Sequence, residues 1–180
     1  MVQAASRLSG TLPMLPGAFP AGELGHALQV AASVIAGPAP VAAVKVTLNG
    51  FDTHQAQAGV QANLLRQLAE GLAAFRSALV EAGRWDDTLV LTYAEFGRRP
   101  AENGSMGTDH GTSNVHFLAG GRVKGGLHGA RPRLDALEGD NLPFAVDFRS
   151  LYATVLERWW GVDAVGPLRG RFAPLDLVRA

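Results

Sequence analysis

Helical periodicity is the strongest pattern along the chain. Between Gln57 and Ala82 apolar residues recur about every 3.6 positions, and the stretch ends at Gly83. Residues 23–36 have the same spacing and stop at Gly37-Pro38, as glycine and proline after a helix end should. Both stretches predict amphipathic helices. The longer apolar stripe consists of Val60, Leu64, Leu68, Leu72, Phe75 and Leu79.

Three short apolar segments predict β-strands. Residues 41–48 alternate between apolar and polar side chains in their second half, which indicates a strand. Residues 88–93 are almost continuously apolar or β-branched, as in a buried strand, and residues 115–119 offer a third strand. Because a long helix separates the first two strands, a parallel βαβ crossover is expected. The predicted fold class is α/β, with a parallel-stranded sheet flanked by helices.

The ends of the chain carry weaker patterns. Asp147 is a residue type that caps helices, and the apolar spacing after it predicts a final helix that stops at Gly161. We therefore expect an irregular arm over residues 1–22, a single α/β domain over residues 23–161 that is part of a larger domain, and a C-terminal tail over residues 162–180.

Composition narrows the classes of partner. Sixteen basic residues balance 16 acidic ones, so no global field recruits nucleic acid. Cysteine is absent, which excludes disulfides and thiolate metal sites. No stretch approaches the ~18 apolar residues that a membrane-spanning helix needs. We predict no nucleic-acid partner and no membrane span, and the composition leaves the oligomeric state open.

An acid and an imidazole, Asp52 and His54, directly follow the first predicted strand. Carboxylate and neutral imidazole both bind divalent metals such as zinc or manganese. The carboxyl ends of strands are also where ligands bind in open α/β sheets. The alternative is a plain turn, in which Asp52 bonds nearby backbone N–H groups and His54 caps or packs.

A second polar cluster follows the strand predicted at residues 88–93. If the strands are parallel, Glu95 lies at the same sheet edge as Asp52 and is a candidate metal ligand. Arg98, with Arg99 beside it, is a candidate anion clamp, because a planar guanidinium binds phosphate or sulfate oxygens bidentately. The alternative is a salt bridge from Glu95 to one of these arginines.

The third cluster is Asp109 and His110, which lie between two glycines in a loop of roughly twenty residues without predicted structure. Together the three clusters predict a divalent-metal site for an anionic ester, in which the metal polarises the ester oxygen and lowers the pKa of bound water. His116 falls in a predicted strand, which favours a packed or solvent-facing role. None of the loop hydroxyls stands in a nucleophile motif; they belong to Ser105, Thr108, Thr112 and Ser113.

The strings FDTH, EFGRR, ENGSMGTDHGTSN, GGRVKGG and DFRSLYATVLERWWG resemble a bacterial family known as the domain of unknown function 1501. The resemblance covers about residues 24–161, in the family's order, and the chain looks like the C-terminal half of a typical member. The family is similar in fold to the alkaline phosphatase and sulfatase superfamily. That likeness implies an α/β core with one or two divalent metals at the C-terminal edge of its sheet.

Carried over residue by residue, the resemblance implies that Asp52 and His54 are metal ligands. For the later motifs two alignments compete. By local string, Asp109-His110 matches the superfamily's Asp-His-Gly ligand pair. By strand order, Glu95 takes the place of that Asp, Phe96 replaces its His, and His110 matches a later single His. Strand order constrains reach more than a short string does, so the second alignment is favoured.

The resemblance also implies a function and its alternative. The expected function is metal-dependent hydrolysis of phosphate or sulfate esters, with an anionic small-molecule ester as partner. Because no nucleophile is found before Val41, we expect an N-terminally incomplete member. The alternative is a non-catalytic metal- or anion-binding or interaction domain that lacks the nucleophile. The resemblance implies that full-length family members carry a twin-arginine signal and are exported to the periplasm. We expect that signal to be missing from this sequence, which leaves the localisation of this chain open.

Overall fold

The structure of the protein is a computed structural model that describes residues 14–179. Ala180 and the first thirteen residues of the predicted arm lie outside the described residues. The chain divides into two compact units, with the boundary between Asp86 and Asp87. Each unit is described by itself. The single domain predicted over residues 23–161 spans both units and stays a prediction.

Two helices form the core of the first unit, and both were predicted. Helix α1 spans Glu23–Ala36 and helix α2 spans Gln57–Glu81, and the two pack against each other. The Cβ of an alanine at Gly71 of α2 would lie 2.7 Å from Leu28 Cδ1, so the helices approach closely there. The apolar faces supply the core, which includes Leu24, Leu28, Ala31, Leu64, Phe75 and Leu79.

The described part of the arm, residues 14–22, contains no helix or strand. It is nonetheless attached to α1 by side-chain hydrogen bonds. The Leu15 N–H donates to Ser33 Oγ at 2.8 Å, and Gln29 Nε2 donates to the Leu15 carbonyl at 3.0 Å. Ser33 is buried, so these bonds satisfy polar groups that would otherwise be costly in the core.

The second unit contains two small antiparallel sheets. Strand β1 (Leu89–Leu91) pairs with β4 (Leu118–Gly120). Strand β2 (Gly97–Glu102) pairs with β3 (Thr108–Gly111), with an irregular register between Arg98 and Glu102. The two predicted strands at residues 88–93 and 115–119 therefore exist in shortened or shifted form.

The predicted parallel-stranded sheet is wrong. Both sheets of the described residues are two-stranded and antiparallel, and residues 41–48 form no strand. The apolar side of the predicted strand is not buried, because Val44 is exposed and Val46 and Leu48 are only half-buried. Alternation indicates a half-buried surface only where a ladder partner covers one face. The β1 strand instead pairs antiparallel with β4.

The C-terminal region begins with the predicted cap. The Asp147 carboxylate accepts a hydrogen bond from the Arg149 N–H at 2.8 Å and starts helix α3, Phe148–Ala153. The helix continues as a π-helical turn, Thr154–Trp159. Buried Thr154 marks the change, because its hydroxyl donates to the Ser150 carbonyl at 2.7 Å, and such back-bonding perturbs a helix.

Residues 162–179, which belong to the predicted tail, are part of the second unit. They contain helix α4, Val165–Leu168. The Lys124 N–H donates to the Leu177 carbonyl and the Arg179 N–H donates to the Arg122 carbonyl, each at 2.8 Å. Leu177 is buried. Across residues 14–179, no helix is both long and apolar enough to cross a lipid bilayer.

We expect Asp147→Ala to lower the free energy of unfolding by about 1 kcal/mol at neutral pH, because it removes a helix cap. The Arg149 guanidinium, hydrogen-bonded to Asp147, holds the pKa of that carboxyl below its usual value. A depressed native pKa stabilises the fold above the unfolded pKa, and the contribution is lost as the pH falls through the native pKa. The difference between wild type and variant should therefore shrink below about pH 4.

Chemical denaturation at several pH values measures this difference. Asp135→Ala is the matched control, because Asp135 also bonds a neighbouring arginine, Arg133, but caps no helix among the described residues. It should leave the free energy of unfolding close to that of the wild type. Equal losses in the two variants would contradict the capping role.

Candidate metal centre

The first site segment is a tight turn at Asp52 and His54. The Thr53 N–H donates to the Phe51 carbonyl at 3.0 Å, which closes a three-residue turn around Asp52. Thr53 is buried, whereas Asp52 and His54 are exposed. His54 Nε2 lies 3.0 Å from Asp52 Oδ1. The buried threonine anchors the turn, and its two neighbours hold their polar atoms together.

The turn is positioned by helix α2. Gly50, two residues before Asp52, has a φ of +104°, and the Cβ of any other residue there would lie 3.4 Å from Leu64 Cδ1. Leu64 is buried in α2. Gly50 therefore lies against the helix, in a backbone conformation that favours glycine.

The second site segment is the β2–β3 hairpin, which the sequence analysis treated as an irregular loop. Asn103 organises its tip, because its side-chain oxygen accepts hydrogen bonds from the Ser105 and Gly107 N–H groups at 2.9 and 3.1 Å. Met106 has a φ of +58°. The Asn103-Gly104 dipeptide is a known turn signal, so the hairpin tip was detectable, whereas polar β2 with its Pro100 was not.

His110 lies in β3 directly across from Arg98 of β2. The imidazole of His110 stacks on the ring of Phe96, with centroids 3.7 Å apart and planes 14° apart. Arg98 Cζ lies 5.0 Å from the centroid of the same phenyl ring, and Arg98 Nη1 donates to the Thr108 carbonyl at 2.5 Å. Phe96 thus contacts both the imidazole and the guanidinium.

Close backbone contacts hold this arrangement. A Cβ at Gly97 would lie 2.0 Å from the Ser113 carbonyl oxygen, and one at Gly111 would lie 2.5 Å from the Arg98 carbonyl carbon. The Arg98 N–H donates to the Ser113 carbonyl at 3.1 Å, and Asn114 Nδ2 donates to the Phe96 carbonyl at 3.0 Å. Only glycine fits at both positions.

The remaining predicted site residues are either exposed or in contact with polar groups outside the Phe96 stack. Glu95 is exposed between β1 and β2. The Asp109 carboxylate accepts a hydrogen bond from Asn103 Nδ2 at 3.1 Å. Arg99 Nη1 lies 3.6 Å from Asp140 Oδ2. Among the remaining histidines, His116 Nδ1 lies 3.1 Å from the Thr92 carbonyl oxygen.

Asp52 and His54 lie in the first unit and His110 lies in the second, and all three are exposed. Each offers one atom that can ligate a metal ion. Carboxylate and imidazole ligands suit zinc or manganese and do not distinguish between them.

Asp52, His54 and His110 were predicted as metal ligands from residue type and position, and that role stays a prediction. Phe96 was considered only as a replacement for a histidine. Phenylalanine has no ligand atom, so a search for metal-binding residue types passes over it. The signal available was the position of Phe96 next to Gly97 in the EFGRR string, but nothing in that string indicates which ring it contacts.

Comparison with known protein families gives a match. A family model described as "Protein of unknown function (DUF1501)" matches residues 35–165. The chain matches no curated protein and no solved structure at a significant level.

Proposed function

Because the chain belongs to the DUF1501 family of proteins of unknown function, we propose its function from its own side chains. The protein binds a divalent metal ion, zinc or manganese, through Asp52, His54 and His110. It binds an anionic phosphate or sulfate ester beside that ion and hydrolyses it. The observation that carries the proposal is the turn of the first unit, in which His54 Nε2 lies 3.0 Å from Asp52 Oδ1.

Exposure of the proposed ligands supports a catalytic rather than a structural metal. Structural zinc sites are closed by protein ligands, whereas catalytic sites keep a coordination position open. Asp52, His54 and His110 are all exposed to solvent, so water or an ester oxygen can reach an ion that they bind. A bound metal would act as a Lewis acid toward an ester oxygen and activate water. The FDTH string adds support, since it resembles ligand strings of the alkaline phosphatase and sulfatase superfamily.

Two of the proposed ligand side chains are already close together in the metal-free protein. Asp52 Oδ1 lies 3.0 Å from His54 Nε2, so the turn holds a carboxylate and an imidazole together before any ion binds. In metal sites a carboxylate next to an imidazole either ligates the ion or fixes the orientation of the ring. Both roles make Asp52 necessary for tight binding.

A further carboxylate completes the proposed site, and strand geometry favours Glu95 over Asp109. Successive side chains of a strand point to opposite faces, so Asp109 and His110 of β3 do not project to the same side. The Asp109 carboxylate is also hydrogen-bonded to Asn103. Glu95, which is exposed in the segment leading to Phe96, is therefore the additional ligand that we propose.

The arginines of β2 supply the proposed anion clamp. Arg98 lies across from His110, and its bond to the Thr108 carbonyl fixes the guanidinium on the hairpin. A planar guanidinium binds the oxygens of phosphate or sulfate bidentately. Arg99 is the second clamp residue. Its 3.6 Å contact with exposed Asp140 is loose, so an anion can compete for it.

The second candidate is a metal- and anion-binding domain without catalysis. The observation that favours it concerns the hydroxyl groups near the hairpin. Thr112 Oγ1 and Ser113 Oγ both donate to the Leu142 carbonyl, at 3.3 and 2.5 Å. These hydroxyls are engaged in holding the loop, so neither is placed as an activated nucleophile.

We expect the purified protein to bind zinc or manganese, and His54→Ala or His110→Ala to weaken the affinity by more than about tenfold. Loss of a ligand should cost at least as much as loss of an outer-shell partner, which typically costs tenfold or more. Isothermal titration calorimetry of the chelator-treated protein measures the affinities.

Matched histidine controls exist in both units. His26 is exposed on α1, and His128, also exposed, lies 3.2 Å from the Lys124 carbonyl through Nε2. His26→Ala and His128→Ala should leave the affinity unchanged. Equal effects of site and control variants, or a wild-type protein that binds neither metal, would refute the proposed metal centre.

We expect Arg98→Ala to weaken binding of inorganic sulfate or phosphate to the zinc-loaded protein by about tenfold to a hundredfold, the usual worth of a charge-assisted hydrogen bond. Arg98→Lys should recover only part of the loss, because it keeps the charge without the planar fork. Arg131→Ala, at an exposed arginine of the same unit, is the control.

The same samples distinguish the two candidate functions. Metal-dependent turnover of an aryl phosphate or aryl sulfate that disappears in His110→Ala supports the hydrolase. Anion binding that needs Arg98 without any turnover supports the non-catalytic domain. Anion binding that Arg98→Ala leaves intact would contradict the clamp in both.

A further inference from the structure

The phenyl ring of Phe96 is the least expected feature of the hairpin. It offers no ligand atom, no hydrogen bond and no charge, yet it stacks nearly parallel on the imidazole of His110 at 3.7 Å. The guanidinium of Arg98 lies over the same ring, with Cζ 5.0 Å from its centroid. One aromatic side chain therefore contacts both the proposed metal ligand and the proposed anion clamp.

The backbone of Phe96 is held more firmly than that of an ordinary loop residue. Its carbonyl accepts a hydrogen bond from Asn114 Nδ2 at 3.0 Å. The next residue, Gly97, is buried and lies against the Ser113 carbonyl, where a Cβ would lie 2.0 Å from the oxygen. Because the backbone is held at Phe96 and at the next residue, the ring is a stable surface for its neighbours.

His110 needs such a surface because it is exposed. An exposed imidazole samples several rotamers, and fixing one rotamer on metal binding costs conformational entropy. A ligating imidazole is normally oriented by a second contact. Stacking on a fixed ring restricts both the position and the plane of the imidazole before the ion arrives, and aromatic pairs contribute stabilisation beyond the area they bury.

We infer that Phe96 is a positioning residue, which orients the His110 imidazole for metal binding and seats Arg98 beside it. This inference rests on the proposed function. It adds to that function a residue that touches neither the metal nor the ester and acts through its neighbours. Phe96 restricts the rotamers of His110 in the metal-free protein, so its contribution is present before binding.

Two variants distinguish the effect of the aromatic face from the effect of filling the space with an apolar side chain. Phe96→Leu keeps an apolar side chain and removes the aromatic face, whereas Phe96→Tyr keeps the face. Phe144→Leu is the matched control, because Phe144 is an exposed phenylalanine of the same unit. Circular dichroism checks that each variant is folded before the other measurements.

The first readout is the proton chemical shift of the His110 ring in the metal-free protein. The ring current of Phe96 should move these resonances upfield in the wild type and in Phe96→Tyr, and the displacement should disappear in Phe96→Leu. The second readout is zinc affinity by calorimetry. Phe96→Leu should weaken it by about threefold to tenfold, as expected for a lost aromatic pair, while Phe96→Tyr and Phe144→Leu should remain close to wild type.

The outcomes separate this inference from the proposed function. If the wild type binds no zinc, or His110→Ala binds it unchanged, the proposed metal centre fails and Phe96 has no ligand to position. If His110→Ala loses binding but Phe96→Leu does not, only the positioning role is overturned. A His110 resonance without an upfield displacement in the wild type also overturns it.

Discussion

Backbone packing in the β2–β3 hairpin determines the geometry of the candidate site in the second unit. At Gly97 and Gly111 a Cβ would lie 2.0 and 2.5 Å from backbone atoms of the opposing segment, so glycine alone permits the approach. The approach sets Arg98 across from His110 and places Phe96 against the imidazole. His110 is exposed and Arg98 is half-buried, and main-chain contacts of the hairpin fix the backbone from which both side chains project.

The turn at Asp52 and His54 follows the same principle in the first unit. A buried residue, Thr53, closes the turn by hydrogen bonds to the Phe51 carbonyl, and the exposed neighbours hold a carboxylate 3.0 Å from an imidazole. Local preorganisation of this kind lowers the cost of ordering ligands when an ion binds. Because these side chains are exposed, solvent screens the interactions between their charges. A bound cation would therefore be the largest local charge at the turn.

The helices were predictable from sequence and the sheet was not, for a physical reason. A stripe at helical spacing with a glycine stop specifies α2 within one segment, because every backbone hydrogen bond of a helix is local. A strand forms its hydrogen bonds with another segment, and its own sequence does not specify which segment that is. Residues 41–48 alternate but form no strand, and β1 pairs antiparallel with β4. Residue type was enough to predict Asp52, His54 and His110 as ligands, and that stays a prediction, whereas the role of Phe96 required knowledge of the stacking contact.

The central claim is that one divalent ion is bound by Asp52, His54 and His110. Zinc K-edge X-ray absorption of the zinc-loaded protein tests it most directly, because the scattering pattern of imidazole rings counts the histidine ligands. The account predicts two imidazoles with zinc–nitrogen distances of about 2.0–2.1 Å and oxygen in the remaining positions. It also predicts one imidazole in His110→Ala. A spectrum with oxygen ligands alone, or one that His110→Ala leaves unchanged, would contradict it.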